Sequence, residues 1–139
     1  MKHESILLVD DCKVNIDILM NILQEEYQIY TAPNGERAIE QARAHPPDMV
    51  LLDIRMPGID GLEVCRRLKN FENTKDIPIL FITALNDSKD KAAAFEAGAV
   101  DYITRPYDQQ EVRSRIKLHM DLKHSYQELK KINDQLRHE

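Results

Sequence analysis

Three aspartates stand where short apolar runs stop. Asp10 and Asp11 follow Ile6-Leu7-Leu8-Val9, and Asp53 follows Met49-Val50-Leu51-Leu52. Runs of this kind read as parallel strands buried on both faces, so each acid falls at a strand's C-terminal edge. Open α/β sheets place their sites along that edge. Carboxylates gathered there repel one another, and their charged forms coexist only beside a cation. The pattern points to a divalent metal site with the chemistry on one of the three acids. Two more run ends enlarge the group: Thr83 closes Ile79-Leu80-Phe81-Ile82, and Arg105 closes Tyr102-Ile103-Thr104. Acids suited to a hard cation, beside a hydroxyl and a fixed positive charge suited to an anion, describe phosphoryl transfer. Mg²⁺ fits better than Ca²⁺, because few protein ligands are offered and phosphate can supply others. No His or Cys belongs to the group, which argues against zinc.

These residues need a scaffold, and the chain alternates strand-like and helix-like runs five times. Strands are expected near 5–10, 28–32, 48–53, 77–83 and 100–104. Helical patterns lie near 13–25, 35–44, 62–71 and 89–97. In the first helix Val14, Ile18, Ile22, Leu19 and Leu23 form one broad apolar stripe. Asn34-Gly35 opens the second helix, Pro46-Pro47 closes it, and Gly98 is the expected C-cap of the fourth. The rhythm implies a doubly wound parallel α/β sheet with right-handed crossovers.

The bulk numbers agree. A chain of 139 residues suits one domain, and 31% charged with 42% hydrophobic residues is a soluble globular profile. No apolar run approaches the ~20 residues that span a bilayer, and no signal peptide is apparent. A cytoplasmic location is expected, with Cys12 and Cys65 as reduced thiols. Residues 1–108 carry 12 Lys and Arg against 19 Asp and Glu, while 109–139 carry 7 against 5. So acidic a body argues against nucleic acid as the main partner. The five histidines read as structural or solvated.

From Asp108 onward there is no Gly or Pro, so one helix over 108–139 is expected. Leu122, Leu129 and Leu136 form one seven-residue row, and Leu118, Ser125 and Ile132 a second. These rows fit the a and d positions of a heptad, with Arg115 at the preceding a position. A dimeric coiled coil is the favoured reading, against a lone projecting helix or one that folds back. The tail is expected to connect to a further module.

In combination, Asp10-Asp11, the segment Leu52-Asp53-Ile54-Arg55-Met56-Pro57-Gly58 with Asp60-Gly61, Thr83-Ala84 and Arg105-Pro106 resemble the receiver domain of two-component response regulators. The resemblance covers residues from about 4 to 120. It implies a flavodoxin-like sheet of order 2-1-3-4-5 with five helices, the last extended. Residues 1–120 would be the receiver and 121–139 a helical extension. Asp53 would accept a phosphoryl group from a histidine kinase or histidine phosphotransfer protein. Asp10, Asp11, Asp53 and the backbone carbonyl of Arg55 would hold Mg²⁺. Thr83, the amide of Ala84 and Arg105 would bind the phosphoryl oxygens. Thr83 and Tyr102 would form the switch, Arg55 and Leu85 would tune the phosphate lifetime, and a cis peptide would precede Pro106. Such a domain catalyses only its own phosphorylation and dephosphorylation. It would dimerise through the C-terminal helix, with no direct nucleic-acid contact and no membrane insertion.

One departure stands out: the family nearly always has lysine where this chain has Arg105. The planar guanidinium keeps the charge but has a larger head and several donors. Bland readings also exist: Tyr102 as core filling, Arg105 as a surface charge, Asp11 as a helix cap. Two rivals differ in function. A haloacid-dehalogenase-type phosphatase would carry D-x-D on the first strand, where this chain has Asp10-Asp11. A pseudo-receiver would serve as a constitutive dimerisation module, and only Arg105 favours it.

Overall fold

The computed structural model describes residues 4–84 and 88–137. Its elements are β1 (Ser5–Val9), α1 (Lys13–Leu23), β2 (Gln28–Ala32), α2 (Gly35–Ala44), β3 (Met49–Asp53), α3 (Gly61–Lys69), β4 (Ile79–Ala84), α4 (Ser88–Glu96), β5 (Asp101–Arg105) and α5 (Gln109–Arg137). All strand pairs are parallel, in the order β2-β1-β3-β4-β5. This is the flavodoxin-like arrangement expected, with a long last helix.

The period-2 alternation of the strands divides the core in two. Leu7, Val9, Val50, Leu52, Ile79 and Phe81 pack with Ala38 and Ala42 of α2, Val64, Cys65 and Leu68 of α3, and Ala94 of α4. On the other face Ile6, Leu8, Met49, Leu51, Leu80 and Ile82 pack with Leu19, Ile22 and Leu23 of α1 and Val112, Ile116 and Met120 of α5. Each such fully buried large side chain contributes about 2 kcal/mol. The central strands are apolar on both faces for this reason, whereas edge strand β2 leaves Tyr30 46% exposed.

Some details differ from expectation. β4 begins at Ile79 rather than 77, because Pro78 at its threshold has no N–H to give the ladder. β5 is shifted one residue later, ending on Arg105. In α1 the stripe turns off the sheet: Ile22 is buried, but Val14 and Ile18 are 64% and 42% exposed. Cys12 is the N-cap of α1 and gives no side-chain cap; Asp10, not Asp11, accepts a nearby amide, that of Cys12, at 2.9 Å. Other punctuation is as expected. Asn34 caps α2 by accepting from the Arg37 amide at 2.9 Å. Gly98 has φ +106° and follows α4, in the left-handed region a C-terminal turn requires.

Gly61 sets how closely α3 approaches the end of β3. Its amide donates to the Ile54 carbonyl at 2.8 Å, and a Cβ there would collide with the backbone of Asp53 and Ile54. Backbone cannot yield as a flexible side chain can. Gly61→Ala is expected to cost about 3 kcal/mol by overpacking, read as a lowered midpoint in urea unfolding.

Along α5 the character changes. Arg113 donates to the Ile22 carbonyl at 3.3 Å, His119 meets Asp101 at 2.9 Å, Lys123 meets Asp48 at 2.6 Å and His124 meets Glu4 at 2.6 Å. Burial would raise the Asp48 carboxyl, but hydrogen bonds from Lys123 and Ser5 outweigh it and hold it below the usual value. Beyond His124 every described residue is exposed. Leu122, Leu129, Ile132 and Leu136 are 54%, 67%, 48% and 62% exposed, so both heptad rows lie open. The helix is described to Arg137; the last two positions expected for it, His138 and Glu139, lie outside the described residues.

Candidate functional site

The parallel register aligns the strand ends. Val9 is level with Leu52, Asp53 with Ile82, and Ala84 with Arg105. The residues that follow β1, end β3 and β4, and close β5 therefore meet at one edge. One ligand oxygen each from Asp10, Asp11 and Asp53 fall within 4.8 Å of one another. Asp10 and Asp53 are buried and Asp11 is exposed at the rim. Arg105 brings its Nη2 to 3.8 Å from Asp53 Oδ1, an ion pair rather than a hydrogen bond.

Burial is the main cause that pushes the Asp53 carboxyl up to about 7. Repulsion from Asp10 adds to it. Arg105 and the Arg55 amide, which donates to Oδ1 at 3.3 Å, pull the other way without winning. The site is thus short of positive charge. Asp10 Oδ2 and the Thr83 hydroxyl are buried without a hydrogen-bond partner among the described residues. An unmet oxygen beside converging carboxylates fits a hard divalent cation, and the unmet hydroxyl fits an anion beside it.

Ala84 ends β4 at the surface, one residue from Thr83. Arg55 turns its guanidinium outward to Asp90 on α4, with contacts of 3.1 Å to each carboxylate oxygen. Leu85 lies outside the described residues. The peptide between Arg105 and Pro106 is cis, as the resemblance implied.

Tyr102 is half-buried on β5, with its ring held between α4 and α5. The ring meets Phe95 edge-on at 5.9 Å, with Lys91 at 4.8 Å and Arg115 at 5.2 Å from the ring centroid. Arg115, assigned from sequence to a heptad position, instead bonds Asp101 at 2.6 Å and the Tyr102 carbonyl at 3.2 Å. The open heptad rows accordingly begin after it.

Sequence reasoning missed Tyr107. Its hydroxyl is buried and lacks a hydrogen-bond partner among the described residues. Burial opposes its ionisation, Asp10 and Asp53 add to that, and Arg105 works against them. The only signal was a phenol two positions after Arg105, which reads equally as an aromatic core residue. Asp90 was also missed, since nothing in the α4 pattern marks a partner for Arg55.

A family model for the response regulator receiver domain matches residues 6–117. Response regulator PleD of Caulobacter vibrioides is 40% identical over 113 residues, which are 81% of this chain and 25% of PleD. Transcriptional regulatory protein YvrH of Bacillus subtilis is 38% identical over 129 residues, 91% of this chain and 52% of YvrH. The chain therefore spans about half the length of these curated relatives or less. Among solved structures, the receiver domain of sensor histidine kinase PA1611 from Pseudomonas aeruginosa superposes with a TM-score of 0.80 at 28% identity, covering 86% of this chain and 98% of that one. That structure has a magnesium ion coordinated in its active-site cleft. Family match and relatives agree with the sheet order and the acidic edge: the chain belongs to the response regulator receiver domains.

Proposed function

We propose that Asp53 is the phosphoacceptor of a Mg²⁺-dependent phosphorelay and that phosphate on it resets the state of the C-terminal helix. The observation that carries this reading is the convergence of three carboxylates with Arg105 and an unpartnered Thr83 hydroxyl. An ionised Asp53 oxygen attacks phosphorus in line. A P–O bond forms as the P–N bond of a donor phosphohistidine breaks, and the imidazole leaves. The donor is a histidine kinase or histidine phosphotransfer protein. Asp10, Asp11, Asp53 and the Arg55 carbonyl would hold Mg²⁺, which supplies charge neutralisation for a nucleophile that is weak by nature. Thr83, the Ala84 amide and Arg105 receive the phosphoryl oxygens. The intact acid group weighs against a constitutive dimerisation module without phosphate chemistry.

The phosphoryl oxygens give the Thr83 hydroxyl the partner it lacks. Thr83 moving toward them leaves room into which Tyr102 turns from its station against Phe95. The energy for the shift is the difference in contact between the two states. Residues 1–120 act as the receiver and 121–139 as the extension that reports the change. The domain works in the cytoplasm without direct contact to nucleic acid and without membrane insertion. No helix among the described residues is long and apolar enough to cross a membrane. Relatives that share this domain include a protein named as a transcriptional regulatory protein and one named as a probable cyclic di-GMP phosphodiesterase, so the domain serves more than one output.

The test is a phosphate-retarding gel with acetyl phosphate and Mg²⁺, run beside sizing of the mass in solution. The wild type is expected to shift and to change its state of association; a chain that takes no label refutes the reading. Association itself is assigned to the open rows of α5, pairing two copies. Leu122→Glu with Leu129→Glu is expected to weaken the dimer at least ~100-fold, because each removes about 2 kcal/mol of apolar burial per helix and adds a charge to the seam. Sizing at a series of concentrations reads this directly.

A further inference from the structure

Arg105 has a positioning problem at rest. Its contact to Asp53 is 3.8 Å and its side chain is 31% exposed, so among the described residues no shorter ion pair holds the cation in the site. A guanidinium has five N–H donors in a fixed plane, more than one distant carboxylate oxygen can use. Tyr107, two residues on and past the cis peptide, has the complementary deficit. Its ring packs against the core formed with α1 and α5, which fixes the phenol's direction. Its hydroxyl is buried and has no hydrogen-bond partner among the described residues. It also lies within electrostatic reach of Arg105, Asp10 and Asp53, and stays neutral because burial and both acids oppose loss of its proton. A buried neutral phenol oxygen is an acceptor awaiting a donor.

We propose that the Tyr107 hydroxyl is a positioning group for Arg105, accepting a guanidinium N–H and so holding that cation over Asp53 and the incoming phosphoryl group. The proposal rests on the phosphoacceptor reading above and assigns Tyr107 no contact with phosphate. It gives the arginine at this position a fixed aim that its length and rotamer freedom would otherwise deny it.

Tyr107→Phe keeps the ring and its packing and removes only the oxygen. The experiment measures phosphorylation of the full chain by acetyl phosphate and Mg²⁺ in four proteins: wild type, Tyr107→Phe, Arg105→Lys and the double variant. Tyr107→Phe is expected to slow phosphorylation roughly five-fold in the wild-type background, the effect of one hydrogen bond, with unchanged half-saturation for Mg²⁺. In the Arg105→Lys background the same change is expected to slow it less than about two-fold, because a compact ammonium presents no planar fork to the phenol. Melting temperatures within about 2 °C of each parent will show that packing is kept. Equal slowing in both backgrounds, or none in the wild-type background, overturns the proposal. A wild type that takes no phosphate overturns the phosphoacceptor reading and this inference with it.

Discussion

Asp53→Asn is expected to lose phosphoryl uptake by at least about a thousand-fold, measured as the rate of label transfer from a phosphohistidine donor. The amide is nearly isosteric, so the strand end and its neighbours stay in place, but it has no anionic oxygen to attack phosphorus. It also offers a weaker oxygen to the cation. Asp10→Asn and Asp11→Asn act differently, since neither removes the nucleophile. Each should raise the Mg²⁺ concentration needed for half-maximal transfer while leaving some transfer at saturation. A chain in which the Asp53→Asn variant transfers as fast as wild type would have its nucleophile elsewhere.

The metal-free protein is expected to lose stability as pH rises from about 4 to 7, and Asp53 is the cause. Its carboxyl has an ordinary value of 3.8 and is pushed up to about 7 by burial and Asp10. Between those values the folded protein keeps a proton that the unfolded chain has released. Raising pH therefore favours the unfolded chain across this window and has no further effect through Asp53 above it. Below pH 4 both states hold the proton, and the folded protein suffers no penalty from this charge. The loss should be on the order of 2 kcal/mol, allowing for water at the rim of the cleft. Asp53→Asn should flatten this slope and be more stable than wild type at pH 8 without metal. Mg²⁺ should close most of the gap for wild type only, because it binds the folded carboxylates and not the amide. Urea unfolding at pH 5 and pH 8, with and without Mg²⁺, checks all three statements.

Much of the scaffold was legible because its signals are local. Val-Leu-Leu-Asp type runs, Asn34 as a cap and Gly98 after α4 each act within a few residues. The acids were legible because strand ends of a parallel sheet must share an edge. What escaped depends on contacts across the fold. Val14 and Ile18 have the right spacing for a buried stripe, yet whether the sheet reaches that turn is a tertiary matter. Arg115 fell on a heptad position by arithmetic, but its partners, Asp101 and the Tyr102 carbonyl, become neighbours only when α5 packs on β5. Tyr107 was invisible for the same reason: a phenol's ring and its oxygen can belong to different environments, and only the assembled site separates them. The heptad rows of α5 are present and exposed, and nothing among the described residues covers them.

Asp53 is the one carboxylate proposed to receive the phosphoryl group. Borohydride trapping tests this assignment most directly, because hydride reduces an acyl phosphate to an alcohol and leaves unmodified carboxylates alone. The full chain is incubated with acetyl phosphate and Mg²⁺, reduced, digested and mapped by mass. The expected product is homoserine at position 53, absent without Mg²⁺ and absent in Asp53→Asn. Homoserine at another aspartate, or label retained in Asp53→Asn, would contradict it.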